Sequence, residues 1–322
     1  MLRLLLGVWL SVVFIAVATP ARAAAPPVNV PSAAQGLEIS PPVLELNADP
    51  GQTLTVQIRL RDVSSGPLVV RATADDFGAK GENGDPQILL DEKEATRYSL
   101  KFWVQQPSSF TLVPQEVKTI PVRIVVPANA EPGGHYGVIR FTGTPPELDG
   151  TGVSLTASIG ALVLLRVSGD ITEKLEVQEF FTSKTHEKAS FFETGPIGFT
   201  ERLRNEGSVH AKPVGYVAVY NIFHKRVAQL AVSNPARNVL PDSIRKFEQQ
   251  LETKRLFGRY TAQMNVRYGD NKKLSSKTIS FWVIPYKLIL AVIIAIVLLV
   301  FLLRQGLRRY NQWVINQASQ RR

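Results

Sequence analysis

The sequence has no cysteine and no Asn-x-Ser/Thr acceptor with a permitted middle residue. Without cysteine there is no disulfide framework, no thiolate nucleophile and no thiolate metal site. An exported chain of this kind must be held together by buried cores instead. Both absences fit a bacterial surface better than a eukaryotic one. Histidine is scarce. His135, His186, His210 and His224 are the four present, and none has a histidine partner two to four residues away. No metal-ligand pair is therefore visible. The G-x-S-x-G pattern of a nucleophile elbow is missing as well. Between residues 37 and 169, no ten-residue stretch shows helical periodicity.

Both ends of the chain are rich in apolar residues. Arg3, an apolar run over residues 4–17 and small residues at Ala21 and Ala23 predict a cleaved secretory signal over residues 1–23. Near the other end, IPYKLILAVIIAIVLLVFLL (284–303) carries no charge from Leu288 until Arg304. That is enough to cross about 30 Å of hydrocarbon, and Trp282 and Tyr286 stand where interfacial aromatics are expected. The segment after it holds Arg304, Arg308, Arg309, Arg321 and Arg322 with no acidic residue. Positive residues stay on the cytoplasmic side. The expectation is a single-pass type I protein of the cell membrane, contacting lipid through one span. Its helix would cover 286–303, with a basic cytoplasmic tail over 304–322 and an extracellular body over 24–285.

The formal net charge of +10 is unevenly spread. Residues 24–170 hold 11 Lys and Arg against 16 Asp and Glu, whereas residues 171–286 hold 18 against 11. The half next to the span is basic. It would face anionic lipid or wall polymer, or simply carry solvated charge. An exported body makes nucleic acid a poor partner.

The body itself reads as strands. TLTVQIRLR (53–61) alternates strictly, with Leu54, Val56, Ile58 and Leu60 on one side. LVVRATAD (68–75), YSLKFWV (98–104), VKTIPVRIVVP (117–127), HYGVIRFTG (135–143) and VSLTASIGALVLLRVSG (153–169) continue the pattern. ADPGQ, SSGP, KGENGDP and AEPGG punctuate them as turns. A second set of strands starts at Ile171 and includes residues 173–181, 198–207, 214–223, 226–232, 260–268 and 277–285. The predicted fold is all-β, with two tandem immunoglobulin-like antiparallel β-sandwiches followed by one transmembrane α-helix. After a linker over 24–36, the sandwiches would occupy 37–169 and 170–285. Only Pro285, Tyr286 and Lys287 separate the last strand from the span, which leaves no room for a flexible stalk.

Little chemistry is on offer. Ser243 and Lys246 form one S-x-x-K, a spacing that brings lysine to serine across a helical turn in penicillin-binding enzymes, but no K-T-G accompanies it. Asp75, Asp76, Glu82 and Asp85 are weak calcium candidates on a loop, without EF-hand spacing. No cofactor and no catalytic constellation are predicted. EPGGHYGVIRF (131–141) lacks the lysine of a phosphate loop and leads into a strand. In it Gly133 and Gly134 make a turn, and Gly137 marks a bulge or a close approach. Tyr136 is placed to reach a neighbouring loop, as in a tyrosine corner. If this stretch binds a ligand, His135 and Tyr136 are the surface candidates.

ISPPVLELNADPGQTLTVQIRLRDVSSGPL (39–68), EPGGHYGVIRFTG and LRNEGSVHAKPVGYVAVYNIF (203–223) resemble the WxL-interacting protein family of Gram-positive cell surfaces. So do NVLPDSIRKF and FGRYTAQMNVRYGD, and the likeness spans nearly the whole mature chain. The resemblance implies an outer domain associated with peptidoglycan and a second domain engaging surface partner proteins. It transfers no binding residue. The leading expectation is therefore a membrane-anchored binder of wall polymer, of surface proteins, or of both. The alternative is an assembly or chaperone-like module that pairs with a client by β-strand addition, with residues 155–167 as the edge or shared strand. A serine acyl enzyme using Ser243 is the minor alternative.

Overall fold

The computed structural model describes residues 36–90, 94–146, 156–253 and 256–319; the expected signal peptide and most of the linker lie outside the described residues. The first sandwich contains β1 (Leu37–Ser40), β2 (Val43–Ala48), β3 (Thr53–Asp62), β4 (Leu68–Lys80), β5 (Asp85–Leu89), β6 (Val104–Gln105), β7 (Phe110–Leu112), β8 (Val117–Val125), β9 (Gly133–Thr144) and β10 (Ala157–Val167). The second contains β11 (Leu175–Lys184), β12 (Glu187–Lys188), β13 (Phe191–Phe192), β14 (Ile197–Asn205), β15 (Val214–Asn221), β16 (Arg226–Val232), β17 (Ile244–Leu251), β18 (Gly258–Tyr268) and β19 (Lys273–Val283). One helix, α1 (Tyr286–Ser319), follows.

In the first sandwich a β1-β3-β8-β6 sheet faces a β2-β10-β9-β4-β5 sheet, with β7 also on β4. Alternation builds the core. Val56, Ile58 and Leu60 of β3 and Ile120, Val122 and Ile124 of β8 turn inward and meet Val70, Ile139, Phe141, Val163 and Leu165 from the other sheet. The second sandwich packs β12-β11-β14-β17 against β13-β19-β18-β15-β16. Phe199, Phe281, Phe192 and Tyr260 form a run of ring contacts at its centre.

Three local expectations change. Residues 98–104 are not a strand: Lys101–Trp103 is a short 3-10 turn. The buried Asp76 carboxylate accepts the amides of Leu100 at 2.8 Å and Lys101 at 2.9 Å, which pulls this backbone into a turn. β17 was not foreseen, because its apolar Ile244, Phe247 and Leu251 recur at three- and four-residue steps. The helix also runs to Ser319, well past 303, since residues 304–319 contain no proline and are rich in good helix formers. It is long and apolar enough to cross a membrane, and all its described side chains but the half-buried Ile289 are exposed.

The second sandwich has two distinct ends. Ile197, Asn221, Gly258 and Val283 lie at the end that continues into α1, while Asn205, Val214, Ile244 and Tyr268 lie at the opposite end. The first sandwich docks on that opposite end. Gly134 donates to the Ser208 carbonyl at 2.8 Å, and the Lys246 amide donates to the Glu82 carbonyl at 2.7 Å. The Glu82 carboxylate pairs with Arg202. Glu45 accepts from Lys212 at 2.9 Å and Asn238 at 2.8 Å, and Arg166 reaches Asp270 at 2.7 Å.

Candidate partner-binding site

The site begins at a break in the first strand of the body. Pro41 and Pro42 follow β1, and neither has a backbone N–H to donate. The chain therefore leaves the β3 sheet and enters the opposite sheet as β2, parallel to β10. That pairing covers only Leu162 to Val167 of β10. The β9 side, by contrast, is paired along all of β10 from Ala157 to Val167. Leu162 donates to the Pro42 carbonyl at 2.9 Å, so even-numbered residues of β10 point their backbone groups to the β2 side. Ser158 and Gly160 thus present N–H and C=O on an edge that no described strand pairs.

The composition of this half-strand, ASIGA, bears on its use. Free edges are normally blunted by charge, proline or a bulge. Residues 157–161 carry none of these. Other edges are treated differently. β17 has its edge taken at Lys246 by the Glu82 carbonyl, and β16 starts at Arg226 beside a register shift at Val219 and Tyr220.

Beside this edge opens a cleft of about 390 Å³ between the two sandwiches. Val43, Leu162, Leu164 and Phe77 supply an apolar floor from the first sandwich. Residues 236–240 and 243–245 form the facing wall. Arg245 lies across Gly84, where any Cβ would collide with its guanidinium. It donates from Nη1 to the Asn238 carbonyl at 2.6 Å, while its buried Nε has no partner. Burial, and then the nearby Arg237, lower its pKa, with Asp85 opposing. The cleft combines an apolar floor with incompletely satisfied cationic nitrogen. Such a surface suits an extended segment carrying apolar side chains and a carboxylate.

The residues singled out from the sequence are distributed otherwise. Tyr136 is only 2% exposed and His135 4%, so neither is a surface contact, contrary to expectation. His135 is a core histidine with Nδ1 on the Ser99 carbonyl at 3.2 Å and Nε2 on the Glu131 carbonyl at 3.0 Å. Burial lowers its pKa. Tyr136 does reach another segment, but across the domain boundary: its Oη lies 3.4 Å from His210 Nδ1. Gly137 marks a close approach, since a Cβ there would stand 3.0 Å from that of Leu100, and no register shift occurs at this point of β9.

The four carboxylates of the acidic stretch are not brought to one centre. Asp75 pairs with Arg140 at 2.8 Å, Asp76 caps residues 100–101, Glu82 holds Arg202, and Asp85 starts β5. Among the described residues no group of three or more carboxylate or histidine side chains is placed to hold a metal ion. Ser243 donates to the Leu240 carbonyl at 2.7 Å, and Lys246 lies on a strand paired to Glu248 at 3.0 Å. The helical turn that makes S-x-x-K reactive is not present.

No family model matches this chain, and no curated protein matches it. Solved structures similar to it include the class 5 fimbriae chaperone CfaA, with 13% identity and a TM-score of 0.35 over 77% of this chain and 99% of that one. The E. coli chaperone DraB gives 13% identity and 0.35 over 77% and 96%. A chain of a CFA/I chaperone–tip adhesin complex gives 12% and 0.37 over 76% and 98%. At these values the likeness carries no functional argument, and the architecture rests on the strand order itself.

Proposed function

We propose that this protein is a membrane-anchored assembly or chaperone-like module that takes an extended segment of a surface partner protein by strand addition. The observation that carries this is the unpaired, uncharged half of β10, residues 157–161, beside the interdomain cleft. The partner strand would hydrogen-bond to Ser158 and Gly160, with apolar side chains against Leu162 and Val43 and a carboxylate near Arg245. The body would stand on the outer face of the cell membrane, anchored by α1. Association with peptidoglycan, the leading expectation from the sequence and its family resemblance, has no structural observation to support it. The chemistry of the site is recognition rather than catalysis.

A photo-crosslinking residue at Ser158, compared in living cells with one at the exposed Val117 of β8, tests the reading. A defined partner adduct is expected at Ser158 alone. That partner should no longer co-purify with Ser158→Pro, a change at a position whose N–H makes no ladder bond. Identical adducts at both sites, or unchanged co-purification with Ser158→Pro, would overturn it.

A further inference from the structure

We infer that the α1-proximal end of the second sandwich is itself a lipid-binding surface, with the Ile222–Phe223 hairpin tip and Phe257 seated in the bilayer interface beside the span. This goes beyond the proposed function and does not depend on what the first sandwich binds.

Register places these residues. Asn221 of β15 pairs with Tyr260 of β18, and Tyr260 pairs with Phe281 of β19. The next positions along, Arg259 and Gly258, pair with Trp282 and Val283. The β15–β16 hairpin therefore projects at the level where β19 hands over to α1, about 10 Å to the side at the usual strand spacing. Phe257 sits in the loop entering β18 at the same end. Phe191 pairs beside Trp282 on the other flank.

The exposure is unusual. Phe223 is 80% exposed and Phe257 69%, and Ile222, Trp282 and Phe191 are also exposed. The hairpin is not loose. Asn221 Oδ1 accepts the amides of Phe223 and Lys225, each at 3.0 Å, and the Asn221 amide donates to the Lys225 carbonyl at 3.0 Å. A turn braced this way holds its two large apolar side chains outward. Leaving them in water is unfavourable, and large exposed apolar tips mark interaction sites.

Charge identifies the occupant. Lys225, Arg226 and Arg259 surround the tip, and none has a carboxylate within ion-pair distance among the described residues. Apolar tips ringed by basic residues fit an anionic bilayer, with rings at the headgroup boundary and cations on phosphates. The surface is continuous with the span. The amides of Trp282 and Ile284 donate to the Ser190 and Phe192 carbonyls, each at 2.8 Å, and Lys287 pairs with Glu193 at 2.8 Å. The start of α1 is thus tied to the sandwich and holds this end at the membrane.

The cysteine-free chain allows a direct test. Nitroxide labels on Phe223→Cys, Phe257→Cys, Val117→Cys and Leu298→Cys are read in the full chain in nanodiscs of phosphatidylcholine with phosphatidylglycerol. Leu298 reports the hydrocarbon and Val117 reports water. The ratio of oxygen to nickel-chelate accessibility at Phe223 and Phe257 should exceed that at Val117 several-fold and lie toward Leu298. Replacing Lys225 and Arg226 by Gln should lower the Phe223 ratio in phosphatidylglycerol-containing discs, separating headgroup attraction from apolar insertion. Ratios at Phe223 and Phe257 equal to that at Val117 would overturn the inference.

Discussion

Glu201 offers the sharpest quantitative test of the second sandwich. It lies in β14 between Phe180 of β11 and Phe247 of β17, its register neighbours. Its side chain shares the inward face with Phe199 and Leu203, it is fully buried, and neither carboxylate oxygen makes a hydrogen bond of good geometry. Burial raises its pKa to about 8, with Gln249 opposing the shift and Glu248 adding to it. The folded state thus holds a proton that the unfolded chain releases near 4.5. A raised folded pKa gives stability that is complete below the unfolded value and lost as pH rises through the folded one. The gap from 4.5 to about 8, at about 1.4 kcal/mol per unit, amounts to about 5 kcal/mol in full and about 3 kcal/mol by pH 7. Urea titration of the full chain in mild detergent, read by hydrogen exchange on β14 and β17 peptides, measures it. With a slope of about 2 kcal/mol per molar, the midpoint should fall by about 2 M between pH 5 and pH 8. Glu201→Gln cannot ionise and should flatten that dependence. An unchanged midpoint across this range in the native chain, or a variant that keeps the slope, would refute the reasoning.

Burial, then Arg166 and Lys212, hold the His210 pKa down to about 4, with Glu45 opposing. Its contribution to the docked interface should fall by about 3 kcal/mol as pH drops from 6.5 to 4, seen as faster exchange in interface peptides. Gly133 has a φ of 134°, and a Cβ there would stand 2.8 Å from the Ser208 carbonyl oxygen. Gly133→Ala should cost roughly 1–3 kcal/mol and expose the Gly134 amide to exchange. Mixed with purified sacculi, the full chain in mild detergent should stay in the supernatant; pelleting would restore the wall-polymer reading.

Much of the fold was legible because sandwiches write a two-residue alternation into their strands. Residues 53–61 show it, and β3 follows it. What escaped depends on contacts distant in sequence. Residues 98–104 alternate like a strand, yet the Asp76 carboxylate captures their amides from 24 positions away. His135 and Tyr136 look like surface residues because the segments covering them lie elsewhere, at Ser99 and at His210. The edge of β10 was visible as an apolar run over 155–167. Which half of it is free follows from Pro41 and Pro42, more than a hundred residues earlier.

The two buried titrations run in opposite directions, and that has a structural consequence. Acid protonates Glu201 and strengthens the second core. The same acid works against the interface at three places. It charges His210, and it neutralises Glu45 and Glu82, whose pKa values are lowered on docking. For Glu82 the Arg202 hydrogen bond is the main cause. For Glu45 desolvation is overcome by hydrogen bonds from Lys212 and Asn238. Stability held by a depressed carboxylate is lost as pH falls through its folded pKa. His210 therefore weakens docking between pH 6.5 and 4, the two carboxylates add to the loss only below their ordinary 4.5, and at that acidity the sandwiches should separate while the second stays folded. The cleft exists only while they are docked, since Leu162 and Leu164 come from one sandwich and Arg245 from the other. The free edge of β10 belongs to the first sandwich alone. Acidification should thus remove the cleft wall and leave the edge, so that a partner held at both loses its Arg245 contacts first.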